Sequence, residues 1–402
     1  MTGVVGALVE AWEELRLHRL RVLLSLVGIA LSVTAMTTVL ALGRITGQAQ
    51  EEMSDRSMGR QTTLTVSAFP AAATSSSVDV VPAMRALVER YEVTYSSVVV
   101  STNGRFRAAG ATFDTQLSLV DPAYGTIHRV QVAEGVWFAP ADVDRLAPAL
   151  VVNEAFMRAI GSPPLASHPV ATIPGPRPVT TVVIGVVPDL SPYDMPTAYA
   201  LYDAYTRMNG APLLDPEMGY VPTLELWVPP SLGEEGLQAV RSDLTGALGE
   251  GTQVDVWSND VPGQEGVSRV FESVVLGVGF LLLFLGALSL VNISMVTVRQ
   301  RIREIGIRRS FGATSGRVFV SIMLESVVAT AVAGLVGVGL AVLIVRNLPL
   351  EAWLGFTLQD QPAFPLSVAL VGILAATAVG AVAGLLPATV AVRVRPIDAI
   401  RY

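Results

Sequence analysis

The 402-residue sequence contains no cysteine and no lysine. Without cysteine there is no disulfide framework, thiol nucleophile or cysteine-held metal. Without lysine there is no Gly-x-x-x-x-Gly-Lys-Ser/Thr loop, because that loop uses the lysine ammonium on the β- and γ-phosphates. Any ATP-hydrolysing subunit is therefore expected to be another chain. Lysine Schiff-base and Ser-Lys chemistry are excluded with it. Charge is scarce, at 15% of residues, and all 27 cations are arginine. Histidine is scarcer: His18, His128 and His168 stand far apart, outside any metal-ligand spacing, and read as structural or solvated. No Gly-x-Ser-x-Gly elbow occurs. Asp142 and Asp144 follow Pro140 and precede Leu146 as the start of a helix would. The chain offers no catalytic constellation and no cofactor site of its own, and nothing in it points to nucleic acid.

What is abundant is apolar surface. Hydrophobic residues make up 51% of the chain and the mean hydropathy is +0.53, which places it in the membrane class. Residues 22–43 are uncharged over 22 positions, and about 20 suffice to cross the hydrocarbon core. Ala41-Leu42-Gly43 resembles a signal-peptidase site. The run exceeds the ~7–15 residues of a signal h-region, so an uncleaved anchor is expected. Further spans are expected at 273–298, 318–345 and 365–392. Before the first, residues 1–21 repeat Val4, Val5, Leu8, Ala11, Trp12 and Leu15 at helical steps, the pattern of an amphipathic helix in the interface.

Charge sets the topology. Residues 48–268 hold 25 acids and 12 arginines, whereas the rest of the chain holds nine acids and 15 arginines. Short arginine-rich loops stay in the cytoplasm. Residues 1–21, 299–317 and the tail 393–402 are thus expected inside. The domain 44–272 and the short loop 346–364, with Trp353 as an interface aromatic, are expected outside. Strand-like runs in 44–272 are Thr62–Ala68, Val93–Ser101, Ala111–Val120, Leu150–Asn153, Val179–Val187, Thr223–Val228 and Thr252–Trp257. Helix-like runs are Val81–Tyr91, Glu154–Ala159 and Ser231–Leu248. Mixed elements over this length predict an α+β domain in two lobes. The fold class is an α-helical membrane protein with four transmembrane helices, with this extracytoplasmic domain inserted between helices 1 and 2.

Three features carry the functional reading. The loop 299–317 holds six arginines, yet Ile302, Ile305, Ile307 and Phe311 are too many apolar residues for a solvated loop. They suit a short helix pressed on a protein surface, with Gly306 and Gly312 as breakers and a Glu304–Arg308 pair at i,i+4. Glu325 is an ionisable group within a span, a functional candidate by default. Gly372, Ala376, Gly380 and Gly384 recur every four residues, a stripe that lets another helix approach closely, in this chain or in a partner.

Asn292, Arg303-Glu304-Ile305-Gly306-Ile307-Arg308, Gly312-Ala313 and Glu325 together resemble the MacB/FtsX-like family of ABC transporter permeases. Glu14-Leu15 through His18-Arg19-Leu20-Arg21, Leu150–Phe156, Val182–Val187 and the tail Val394–Arg401 are similar to other parts of the family. The resemblance implies a MacB-like periplasmic core with an inserted lobe near 121–200. Ser167-His168-Pro169 stands where a glycine is usual. It implies that Arg301, Ile302, Arg303, Glu304, Ile305, Gly306, Ile307, Arg308, Gly312 and Ala313 form the coupling helix against the ATPase, with Ile305 and Gly306 at the contact. Asn292 and Glu325 are its intramembrane polar residues.

The partners it implies are two copies of an ABC ATPase, which bind ATP and magnesium, a second permease copy or paralogue, the lipid bilayer and an extracytoplasmic protein. The expected function is a permease subunit, not itself an enzyme, in a bacterial cell membrane. It would couple ATP hydrolysis elsewhere to movement of the outer domain, for export of a peptide, drug or lipid-linked substrate. The alternatives are an FtsX-like regulator of a cell-wall hydrolase, disfavoured by the size of the outer domain, and a lipoprotein-release permease.

Overall fold

A computed structural model describes residues 19–70, 80–108, 110–174, 178–191, 193–209, 221–229, 231, 233–249, 252–259, 264–350, 353 and 363–393. Residues 1–18 of the amphipathic stretch, residues 71–77, most of 346–364 and the tail beyond Arg393 lie outside the described residues. In chain order the elements are α1 (Arg19–Met58), β1 (Thr63–Pro70), α2 (Val81–Arg90), β2 (Tyr95–Ala108), β3 (Ala111–Val120), α3 (Tyr124–Ile127), β4 (Glu134–Gly135), β5 (Ala149–Asn153), α4 (Glu154–Ala159), β6 (Val170–Ile173), β7 (Val179–Val187), β8 (Thr197–Leu201), α5 (Tyr202–Asn209), β9 (Thr223–Trp227), α6 (Gly233–Leu248), β10 (Thr252–Ser258), α7 (Gln264–Gln300), α8 (Ile302–Ser310), α9 (Ser315–Asn347) and α10 (Leu366–Arg393). They fall into two compact units, one of residues 1–48, 263–349 and 362–402, the other of 49–262 and 350–361.

The first unit is helical. Helices α1, α7, α9 and α10 are long and apolar enough to cross a membrane. Their seam is built from small residues, because hydrocarbon lends little drive to helix association and close backbone packing must supply it. A Cβ on Gly334 would stand 2.8 Å from that of Ala376. Gly380 lies against Thr330, Gly384 against Ser326, and Gly372 against Thr37 and Val338. The four-residue stripe of α10 is therefore used within the chain, on α9 and α1. On α1, the Thr34 hydroxyl donates across to the Gly337 carbonyl at 3.0 Å. Met36 and Ile29 fill the space left by Gly279 and Gly286 of α7.

Helix α1 continues past the uncharged run through 44–58, which contains no proline, and stops at Gly59, whose φ is +79°. In the second unit, β2 is the shared member of two sheets. Its residues 95–99 pair with β9, which continues through β1 to β10. Residues 100–108 pair with β3, followed by β8, β5 and β7. Strand β6 pairs with β7 and meets β2 at Arg107–Thr172, closing a ring of strands. Phe106, Phe113 and Phe156 pack inside it, with Phe156 5.4 and 5.1 Å from the other two. His168 takes a left-handed φ of 50°, a conformation that costs a residue with a Cβ about 1–2 kcal/mol. Asp142 accepts from the Ala139 N–H at 2.7 Å and from Arg145 at 2.6 Å, as a helix-start residue does.

Candidate functional site

The arginine-rich loop folds as the nine-residue helix α8. It begins where the Arg301 N–H bonds back to Thr297 and Val298, and it ends at Gly312, whose φ is +94°. Gly312 is thus a breaker; Gly306 sits inside the helix and is buried, a correction to its expected role. Glu304 and Arg308 form the expected pair at 2.7 Å.

Two rows of side chains decide what this helix can do. Residues four apart share a face, and residues two apart lie about 200° round. Arg301, Ile305 and Arg309 form the row that faces the bundle. Ile305 is 8% exposed and belongs to one buried cluster with Val298 of α7, Val318 and Ile322 of α9 and Ala391 of α10. Arg301 reaches Glu325 on α9 at 3.7 Å. Arg309 donates to the Val392 carbonyl on α10 and to Ser315. Arg303, Ile307 and Phe311 form the opposite row. Ile307 is 51% and Phe311 88% exposed, and Arg303 and Arg308 are exposed beside them.

Ile305 and Gly306, expected at the partner contact, are both buried within this chain, whereas Ile307 and Phe311 are exposed. Ile302 and Ala313 are half-buried and Gly312 is exposed. Sequence pattern does not pick out Phe311 as the outermost apolar residue; only the left-handed turn after it does. Glu325 is engaged with Arg301. Asn292 lies on α7 with its amide exposed. Gly372, Ala376, Gly380 and Gly384 form the seam described above.

The outer unit holds one polar cluster that the sequence does not announce. The His128 ring lies between two acceptors, Glu225 at 2.7 Å and the Arg56 carbonyl at 2.8 Å. Tyr124 stacks on it with ring centroids 3.9 Å apart, and burial pushes the Tyr124 hydroxyl well above its usual pKa. Among the described residues, no group of three or more His, Asp or Glu could hold a metal ion.

Four apolar helices, a mixed α/β core domain and a short arginine-bearing helix between the second and third spans define a multi-pass membrane permease with an extracytoplasmic domain. Residues 22–222 match the model of the MacB-like periplasmic core domain and residues 276–396 that of the FtsX-like permease C-terminal domain, and the chain belongs to the MacB/FtsX-like family of ABC transporter permeases. It is 25% identical over 400 residues to the probable syringafactin export ATP-binding/permease protein SyfD of Pseudomonas syringae pv. tomato, covering 97% of this chain and 58% of that protein. The chain thus spans less than two thirds of that relative. It is 33% identical over 143 residues to the uncharacterized ABC transporter permease YknZ of Bacillus subtilis, covering 34% of this chain and 33% of that one. The periplasmic region of MacB from Actinobacillus actinomycetemcomitans aligns with a TM-score of 0.40 at 15% identity, over 52% of this chain and 92% of that one.

Proposed function

We propose that this chain is the permease subunit of an ABC exporter, with ATP and magnesium bound by a separate ATPase and two permeases working as a pair. The observation that carries the reading is the division of α8 into two rows. One row is fastened to three spans and the other presents Ile307 and Phe311 among arginines. An apolar patch rimmed by charge is the form of a protein-docking site. ATP-driven closure of the partner would push on Ile307 and Phe311. Ile305, Arg301 and Arg309 would pass the push to α7, α9 and α10. Helix α1 carries it onward, since its backbone runs unbroken from residue 19 to residue 58.

The substrate class that fits the family is a peptide, drug or lipid-linked molecule taken up on the extracytoplasmic side. A relative named for syringafactin export supports export over hydrolase regulation. The test is ATP hydrolysis by the partner in vesicles with and without the chain, followed by substrate efflux. Stimulation without efflux, together with capture of a cell-wall hydrolase, would favour the regulator. Release of lipoproteins would favour the third reading. No stimulation by the intact chain would overturn the proposal.

A further inference from the structure

The last turn of α1 is held in the outer unit by side chains from distant parts of the chain. The final four carbonyls of a helix have no partner within it. Asn259 donates its amide to the Met58 carbonyl at 3.3 Å and to those of Gly59 and Arg60 at 2.6 Å. His128 meets the Arg56 carbonyl, with Nδ1 2.8 Å from it. The other ring nitrogen, Nε2, lies 2.7 Å from Glu225 Oε2 on β9. His128 is 1% exposed and Glu225 8%, so solvent has little access to either contact.

These contacts fix a proton count. A carbonyl only accepts, so Nδ1 must carry a hydrogen. An ionised carboxylate also only accepts, so Nε2 must carry another. Either neutral tautomer would leave one nitrogen lone pair facing an oxygen. A protonated Glu225 would satisfy Nε2 too, but the negative end of the α1 dipole, at the Arg56 carbonyl, favours the charge on the ring. In both arrangements the pair holds one proton more than a neutral imidazole and a free carboxylate. An imidazole in water gives up that proton above about pH 6.5.

The neighbouring groups hold their charge while this one changes. Tyr124 stacks on the ring, and burial raises the hydroxyls of Tyr124 and Tyr199 above their usual range, so both are neutral. Arg56, Arg60 and Arg129 stay charged at any working pH. On α1, Asp55 pairs with Arg129 at 3.2 Å, and Glu52 is buried one turn before Arg56. Asp121, ahead of α3, turns to Arg85 and to the Val98 N–H. Among these side chains only the His128 imidazole ordinarily changes charge between about pH 5 and 8.

We propose that His128 and Glu225 form a proton-binding site that fastens the end of α1 to β9, closed while the shared proton is bound and open once it is lost. The ligand is a proton from the extracytoplasmic side. The closed joint binds one proton more than the open one, so its stability falls as pH rises. In the reading above, a push along α1 enters the outer unit at this joint, and acidity outside would tighten the coupling. That consequence rests on that reading; the joint itself does not.

The test is hydrogen exchange in the full-length chain in lipid nanodiscs, from about pH 6 to about pH 9, corrected for the intrinsic effect of pH on exchange. The reporter is the segment 55–63, in which the Arg60 N–H donates to the Ile127 carbonyl beside His128. Its protection should fall as pH rises, by up to about tenfold per pH unit, the limit for one proton. The amides of β6 are the control and should stay level. His128→Gln can still donate a hydrogen bond but binds no proton, so its protection should be lower at the acid end and level throughout. The chain has three histidines, so the nitrogen spectrum of histidine-labelled protein reads the rings directly. Where the joint is closed it should show a doubly protonated ring that His128→Gln removes.

Level protection in the parent, a slope that survives His128→Gln, or a closed joint with a neutral His128 ring would each overturn the proposal. The parent's slope and ring spectrum decide even if His128→Gln fails to accumulate. Neither measurement involves ATP hydrolysis, so a chain with this joint that stimulates no ATPase would sink the functional reading alone.

Discussion

The guanidinium of Arg309 donates to the carbonyl of Val392 at 3.1 Å, so the short cytoplasmic helix is tied to the last turn of α10. The last four carbonyls of a helix have no partner within it, and a cation there also meets the negative end of the helix dipole. Arg309→Ala should remove a charge-assisted hydrogen bond of about 1.5–3 kcal/mol. Partner ATPase stimulation should fall while membrane insertion is unchanged. Arg309→Lys should recover part of it. Hydrolysis measured at matched permease levels checks this, and full stimulation by Arg309→Ala would show that α8 does not transmit through α10.

Ile305 and Ile307 belong to the same helix but should fail in different ways. Ile305 fills the cluster with Val298, Val318 and Ala391, so Ile305→Glu buries a charge in the chain's own packing and should lower its melting temperature in detergent. Ile307→Glu should leave melting unchanged and weaken copurification of the ATPase. Phe311→Ala should cost about 1–3 kcal/mol of that binding, as aromatic anchors do. Normal ATPase recovery with both Ile307→Glu and Phe311→Ala would place the docking face elsewhere.

Gly380 has Thr330 directly above it, and even a methyl group there would collide. Gly380→Ala should destabilise the helical unit by about 1–3 kcal/mol through overpacking, and Gly380→Leu by more. Thr330→Gly in the same chain should relieve the Gly380→Ala defect. If thermal melting in detergent shows no loss in Gly380→Ala, the α9–α10 seam is looser than described.

His128→Ala should leave Glu225 buried without its partner. The expected loss is roughly 3–5 kcal/mol, the cost of breaking a buried pair from one side, and Glu225→Gln should be milder because the amide oxygen still accepts. Limited proteolysis of the full chain within the outer unit reports the change. Equal protease resistance of His128→Ala and the parent would show that the His128–Glu225 contact adds no stability.

Topology can be checked at two exposed leucine and phenylalanine positions. Leu146 is 99% and Phe311 88% exposed. Cysteine at Leu146 should react with an impermeant maleimide in intact cells with a permeabilised outer envelope. Cysteine at Phe311 should react only after the inner membrane is broken. The reverse pattern would invert the orientation.

Much of this protein is legible in its sequence because hydrophobicity and charge are local and additive. The four spans and the α+β class of the outer domain come from runs and counts that need no partner. Ala111–Val120, Val179–Val187 and Glu154–Ala159 are the observed elements to the residue, because alternation or capping marks both of their ends. The short strands β6 and β8 and the helix α5 escape such reading. Five residues such as Thr197–Leu201 form a strand only because β3 and β5 pair with them on either side.

Face and pairing are decided by the tertiary structure. Ile305 and Ile307 are chemically identical on one helix, and only the positions of Val318 and Ala391 determine which is buried. The stripe Gly372, Ala376, Gly380, Gly384 could serve any helix, and its use within the chain depends on where Thr330 and Thr37 stand. His128 and Glu225 are 97 residues apart and meet only because the fold brings α3 against β9. Periodicity fixes the spacing of a face, but the direction it points is set by contacts between residues far apart in the chain.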